Sequence, residues 1–115
     1  MLIKSFLDIM QDPDYVIGKN AAENTQICQQ AQPKDVWFHV KNLPSAHLVY
    51  KNINNQTLQN LRKNGTIYRL GLQLKNSTKY KKIPELLLIY TYIENITVTS
   101  TPGLVKTAKH HTIKI

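Results

Sequence analysis

Apolar and polar residues alternate along Asp35-Val36-Trp37-Phe38-His39-Val40, and a second apolar stretch, Ala46 to Lys51, follows after Asn42-Leu43-Pro44-Ser45. Alternation of this kind fits a strand and not a helix. It predicts strands over Asp35–Lys41 and Ala46–Lys51 joined by a short turn, which is a hairpin. Asp35, Trp37 and His39 then share one face while Val36, Phe38 and Val40 share the other, so the polar set points one way and the second face is core. The only Trp and two of the four His fall within Asp35–His47, which marks the hairpin as the first place to look for function.

The rest of the chain supplies further strands and two helical patterns. Leu2 to Leu7 reads as an edge strand, Gln11-Asp12-Pro13-Asp14 as a turn, and Tyr15-Val16-Ile17 as a short strand stopped by Gly18. Asn20 is a good N-cap with Glu23 after it, predicting a helix from Ala21 to Ala31 that buries Asn24, Ile27, Cys28 and Ala31 before Pro33 ends it. Thr57 can cap a longer helix whose stripe is Leu58, Leu61, Gly65, Tyr68 and Leu72, widened by Ile67, Leu70 and Leu74. Gly65 in its middle implies either close packing or a break. Asn76 to Lys82 reads as a basic loop and Leu86 to Ile93 as a strand central in a sheet. Ile96–Val98 continues it or hairpins back, Thr101-Pro102-Gly103 turns, and Ile113 with Ile115 closes the chain as a last strand. The expected fold is α+β: one domain over 1–115, a mostly antiparallel sheet with one short and one longer helix packed on it.

A chain of 115 residues can remove roughly two thirds of its unfolded surface from water without staples. Its single Cys28 excludes an internal disulfide framework, which fits a reducing compartment. The apolar stretch at Met1–Asp8 is too short for a signal segment or a membrane span, so a cytoplasmic location with no membrane partner is expected. The net charge of +8 comes from fifteen Lys and Arg against seven Asp and Glu, and five of those acids precede Val36. The remainder is therefore strongly basic, and such a field attracts phosphates.

Several residue groups carry chemistry. Gly18-Lys19-Asn20 joins a strand end to a helix start, where backbone N–H groups and Lys19 can face an anion. With no second Gly beside it there is no phosphate-binding loop of the nucleotide-hydrolysing kind. His39 and His47 can meet across the hairpin, and with Asp35 they offer a metal or catalytic set, but hydrogen-bonded structural His explains the pair better; no metal and no cofactor are expected. Cys28 falls on the buried side of its helix and is read as core rather than nucleophile. Trp37, Tyr68, Tyr80, Tyr90 and Tyr92 intermix with Lys41, Lys51, Arg62, Arg69, Lys79, Lys81 and Lys82, a combination that offers π-faces to bases and cations to phosphates. Tyr90 and Tyr92 share a strand face and are expected to be buried.

The order of motifs resembles the RNA-binding NFACT-R domain family. The family pattern V-G-[RK]-N-x-x-x-N is matched by Ile17-Gly18-Lys19-Asn20-Ala21-Ala22-Glu23-Asn24, and D-[IV]-W-[FL]-H-V-K-x-[IL]-P-[GS]-[SA]-H by Asp35 through His47. Later, Leu88-Ile89-Tyr90-Thr91 is similar to its V-x-Y-T strand and Pro102-Gly103-Leu104-Val105 to its P-G-x-V turn. Larger members act in ribosome-associated quality control and carry N-terminal regions that 115 residues do not accommodate; a shorter branch adds a C-terminal coiled coil and is associated with DNA. What the resemblance implies is a non-enzymatic module for RNA, either tRNA or ribosomal RNA, with DNA as a further candidate. The residues expected to contact nucleic acid are Lys19, Asn20, Trp37, His39, Lys41, Ser45, His47, Lys51 and Arg62, with Asn24 tying helix to hairpin. A second reading is an adaptor on ribosomes or RNA-processing complexes anchored through Trp37. A third is a nucleic-acid-modifying enzyme using His39, His47 and Asp35.

Overall fold

The computed structural model describes residues 14–115; the strand expected over Leu2–Leu7 and the start of the turn at Gln11 lie outside the described residues. In chain order the elements are β1 (Tyr15–Ile17), α1 (Ala21–Gln30), β2 (Val36–Val40), β3 (Leu48–Tyr50), α2 (Leu58–Lys63), α3 (Thr66–Asn76), β4 (Leu87–Tyr92), β5 (Ile96–Val98), β6 (Val105–Thr107) and β7 (His111–Lys114). Among the described residues, five strands form one antiparallel sheet in the order β1-β3-β2-β4-β7, and β5 with β6 forms a separate antiparallel ribbon. The fold is α+β. No helix among the described residues is long and apolar enough to cross a membrane.

The hairpin forms in the register that the alternation requires, with Val36 opposite Tyr50 and Phe38 opposite Leu48. On its other side β2 pairs with β4 from Val36–Tyr92 to Val40–Leu88, so both strands are interior. Val36, Phe38 and Val40 meet Leu61, Ile67, Leu70 and Leu74 from α2 and α3, all fully buried. Each such side chain stabilises the fold by about 1.5–3 kcal/mol relative to an exposed one.

The opposite face is covered as well, which corrects the expectation that only one face of β2 is core. Trp37 and Val49 pack with Cys28 of α1, and Ile89, Ile96, Val98 and Val105 close around them. The sheet thus lies between two layers, α2 with α3 on one side and α1 with the β5–β6 ribbon on the other. The polar members of the covered face are accommodated by internal hydrogen bonds, as buried groups must be. Asp35, for example, accepts from the backbone N–H of Gln32 at 2.9 Å and of Asn52 at 3.0 Å.

The long helical pattern is two helices. Thr57 Oγ1 accepts from Asn60 N as predicted for the cap of α2, but the chain breaks at Asn64-Gly65, where Gly65 has φ of 85°. A side chain there would be strained, and a Cβ at Gly65 would meet nothing within 4 Å. Of the two explanations open to Gly65, the break is the one observed. It rotates α3 relative to α2, so the face continues through Ile67, Leu70 and Leu74 while Tyr68 is 51% exposed. Ile96–Val98 does not continue β4 but starts the separate ribbon.

Candidate functional site

A cleft of about 1060 Å³ opens where four segments meet: the β1–α1 turn, the β2–β3 hairpin, the loop after α3 and the turn between β5 and β6. The first segment is shaped by Gly18. A Cβ on Gly18 would stand 2.1 Å from Asn24 Oδ1 and 2.9 Å from its backbone N, so only glycine lets the strand end approach α1 this closely. The approach places two hydrogen bonds on the backbone of His47: Gly18 N donates to its carbonyl at 3.0 Å, and its own N–H donates to Asn24 Oδ1 at 3.1 Å. Asn24 thus ties helix to hairpin as expected. Asn20 caps α1, its Oδ1 accepting from Glu23 N, while the Glu23 carboxylate accepts from Lys19 N.

Beneath the cleft lie three stacked or edge-on rings. Trp37 and His39 are parallel with centroids 5.7 Å apart, and His47 stands edge-on to both, at 5.5 Å from Trp37 and 4.9 Å from His39. Their hydrogen bonds fix the tautomers. The Trp37 indole N–H, a donor only, reaches His47 Nδ1 at 3.1 Å, so that nitrogen is bare and the proton sits on Nε2. His39 has the opposite arrangement: its Nδ1 lies 2.6 Å from the Val40 carbonyl, which only accepts, so Nδ1 carries the proton and Nε2 is bare.

Both imidazoles are held neutral. Burial, then the neighbouring His39, push the His47 pKa from 6.5 down to about 4 against an opposing hydrogen bond to the Gly103 backbone. Burial lowers His39 too, offset in part by its bond to Val40. Cys28, whose Sγ is 3.8 Å from His47 Nδ1, is raised by burial to about 11 and stays a thiol, consistent with packing rather than nucleophilic attack.

The residues expected to contact nucleic acid divide into two groups. Lys19, Asn20, His39, Ser45 and His47 all line the cleft, although His47 is 2% exposed and forms its wall rather than a free contact. Trp37 requires correction: at 2% exposure its ring offers no face to a base and no anchor to a protein partner. The layer formed by α1 and the β5–β6 ribbon covers it, and no local pattern around Trp37 encodes that layer. Lys51 borders a different depression beside Lys34 and Asn52. Arg62 is also elsewhere, donating to Tyr90 Oη at 2.9 Å and to the Thr112 carbonyl at 3.2 Å. Lys41 is half-buried at the end of β2 and is not among the lining residues. Asp35 sits at the far end of β2 from His39, its carboxylate engaged by backbone, so the three groups of the enzymatic reading do not converge. Among the described residues no three His, Cys, Asp or Glu side chains gather as a metal site.

The cleft adds Lys79, Thr78 and Gly103 to the set. Lys79 belongs to the basic stretch after the long helical pattern, but nothing local indicates that this loop folds back over the hairpin. Gly103 stands in the predicted late turn, and its N–H donates to Thr25 Oγ1 at 2.7 Å, seating the ribbon on α1.

Comparison with known proteins corrects the family expected from the motifs. No family model matches the chain. It is similar to coiled-coil domain-containing protein 25 of Danio rerio, 29% identical over 97 residues covering 83% of this chain and 47% of that protein. The coiled-coil domain-containing protein 25 homolog of Dictyostelium discoideum is 30% identical over 91 residues, covering 77% and 44%. The Bos taurus protein of the same name is 27% identical over 84 residues, covering 73% and 40%. These names denote a different family from NFACT-R, and the chain spans less than half the length of these curated relatives. Among solved structures, the C-terminal part of the fibronectin/fibrinogen-binding protein from Streptococcus suis superposes with a TM-score of 0.71 at 17% identity, covering 88% of this chain and 39% of that one. At that identity the likeness is one of fold.

Proposed function

We propose that the protein binds RNA without catalysis, holding the phosphate chain of a tRNA or ribosomal RNA in the cleft. The observation that carries this reading is that Lys19 and Lys79, from segments 60 residues apart, converge on a cleft with no Asp or Glu among its described lining residues. In a chain with net charge +8 such a cleft concentrates positive potential, and phosphates binding there release counterions. The start of α1 adds backbone N–H groups beside Lys19. Lys81 and Lys82, both exposed, extend the basic track past Lys79. The lone, buried Cys28 fits a cytoplasmic setting for such a module.

Charge reversal tests the location. Lys19→Glu and Lys79→Glu are each expected to weaken tRNA binding at low salt by about five- to tenfold in a mobility-shift titration. Lys51→Glu, outside the cleft, should change it by less than about twofold. Equal losses for all three would place the contact on general surface charge instead.

A further inference from the structure

We propose that His39 Nε2 accepts a hydrogen bond from a ribose 2′-hydroxyl and thereby makes the cleft select RNA over DNA. The inference rests on the reading of the cleft as a nucleic-acid site and goes beyond it to the group that is recognised. Four facts converge on it.

The first is that His39 presents a lone pair and not a proton. The 2.6 Å bond from Nδ1 to the Val40 carbonyl fixes the tautomer, and Trp37 stacked on the ring holds its orientation. The second is that Nε2 is open. Among the described residues it has no hydrogen-bond partner, yet no buried side-chain nitrogen or oxygen is left unsatisfied, so this nitrogen reaches solvent where His39 lines the cleft.

The third concerns the other polar side chains there. Ser45, Ser77, Thr78 and Tyr80 each donate their hydroxyl proton to a backbone carbonyl, of Ala46, Leu74, Lys75 and Pro44 respectively. Asn20 Oδ1 is engaged by Glu23 N and Asn24 Oδ1 by His47 N. Those oxygens keep lone pairs, but His39 Nε2 is the lining nitrogen acceptor that carries neither a proton of its own nor, among the described residues, a protein partner. The fourth is that, among the described residues, no Trp, Phe or exposed Tyr presents a ring to the cleft: Trp37 is buried beneath it, Tyr80 on its wall is 8% exposed, and the His39 ring is stacked on Trp37. Bases splayed out for reading need such a face, so the groups presented to this cleft are those of the sugar–phosphate chain. Phosphate oxygens carry only lone pairs and are matched by Lys19 and Lys79, not by a bare nitrogen. The one hydrogen-bond donor on that chain is the 2′-hydroxyl, which DNA lacks.

Fluorescence anisotropy on one mixed-sequence single strand in three forms tests this: RNA, deoxyuridine-containing DNA with the same bases, and fully 2′-O-methylated RNA. The unaltered protein is expected to bind RNA about five- to tenfold more tightly than either other form, the worth of one well-placed hydrogen bond. In His39→Phe, which keeps a flat ring against Trp37, the three affinities should converge on that of DNA. Equal binding of all three forms by the unaltered protein overturns the hydroxyl contact and leaves the cleft reading standing. An RNA preference that survives in His39→Phe overturns it too. No binding of any form at low salt overturns the cleft reading and this inference together. The ligand series needs no altered protein, so the test holds even where His39→Phe folds poorly.

Discussion

Replacing Trp37 with alanine is expected to lower the free energy of unfolding by about 3–5 kcal/mol, a large fraction of the 5–15 kcal/mol typical of a domain. The ring is 2% exposed, packs with Cys28 and Val49, and lies under a second layer that cannot collapse fully into the space it would vacate. It also carries the one N–H that satisfies His47 Nδ1 at 3.1 Å. Trp37→Phe separates the two contributions: most of the volume remains, but His47 Nδ1 loses the indole N–H and keeps only the weak Cys28 thiol 3.8 Å away, for about 1 kcal/mol. Urea denaturation followed by circular dichroism measures both. A loss under about 1 kcal/mol for Trp37→Ala would mean the ring is a surface platform, as a base-stacking or partner-anchoring role requires. The expected loss also means that RNA-binding assays on Trp37→Ala would report unfolding rather than recognition.

Acidification is expected to remove about 3 kcal/mol of stability through His47 alone. Its pKa falls from 6.5 to about 4 on folding, so between those values the unfolded chain holds a proton that the folded one does not. Stability rises with pH wherever the unfolded state binds more protons. The contribution is therefore complete above pH 6.5, declines as pH falls through the window and is exhausted below about 4, and 1.36 kcal/mol per pH unit sets its size. His39, lowered in the same direction, adds to the decline. In His47→Gln, whose amide oxygen can accept from the Trp37 indole, the titrating group is gone and the profile between pH 6.5 and 4 should flatten. Parallel profiles for the two proteins would show that His47 is not held neutral by its site.

The elements that the sequence made legible are those with local rules. The β2–β3 hairpin follows from alternation and a short turn, α1 from Asn20 and Glu23, and the tie from Asn24 to the hairpin is present at 3.1 Å. What the sequence did not reveal depends on layers. Whether Trp37 faces water or a second core is decided by α1, through Cys28, and by the β5–β6 ribbon, distant in sequence, through Ile96, Val98 and Val105. The break at Gly65 was one of two explanations for a glycine in a helical pattern, and its positive φ with no close neighbour selects it. The cleft is legible in the same partial way. Lys19, Asn20, His39, Ser45 and His47 come from the two strongest motifs and meet, whereas Lys51 and Arg62 share only their charge with that set and lie elsewhere. Lys79 was visible as a cation, but its place beside Lys19 is a property of the folded chain.

The most direct measurement of the central claim is a tRNA-binding isotherm repeated from low to physiological salt. Two to four phosphate contacts at Lys19, Lys79 and the neighbouring Lys81 and Lys82 predict a line of log affinity against log salt with a slope of about −1.5 to −3. Saturable binding that weakens along such a line as salt rises supports a phosphate-holding cleft. Absence of saturable binding at the lowest salt, or an affinity indifferent to salt, would contradict it.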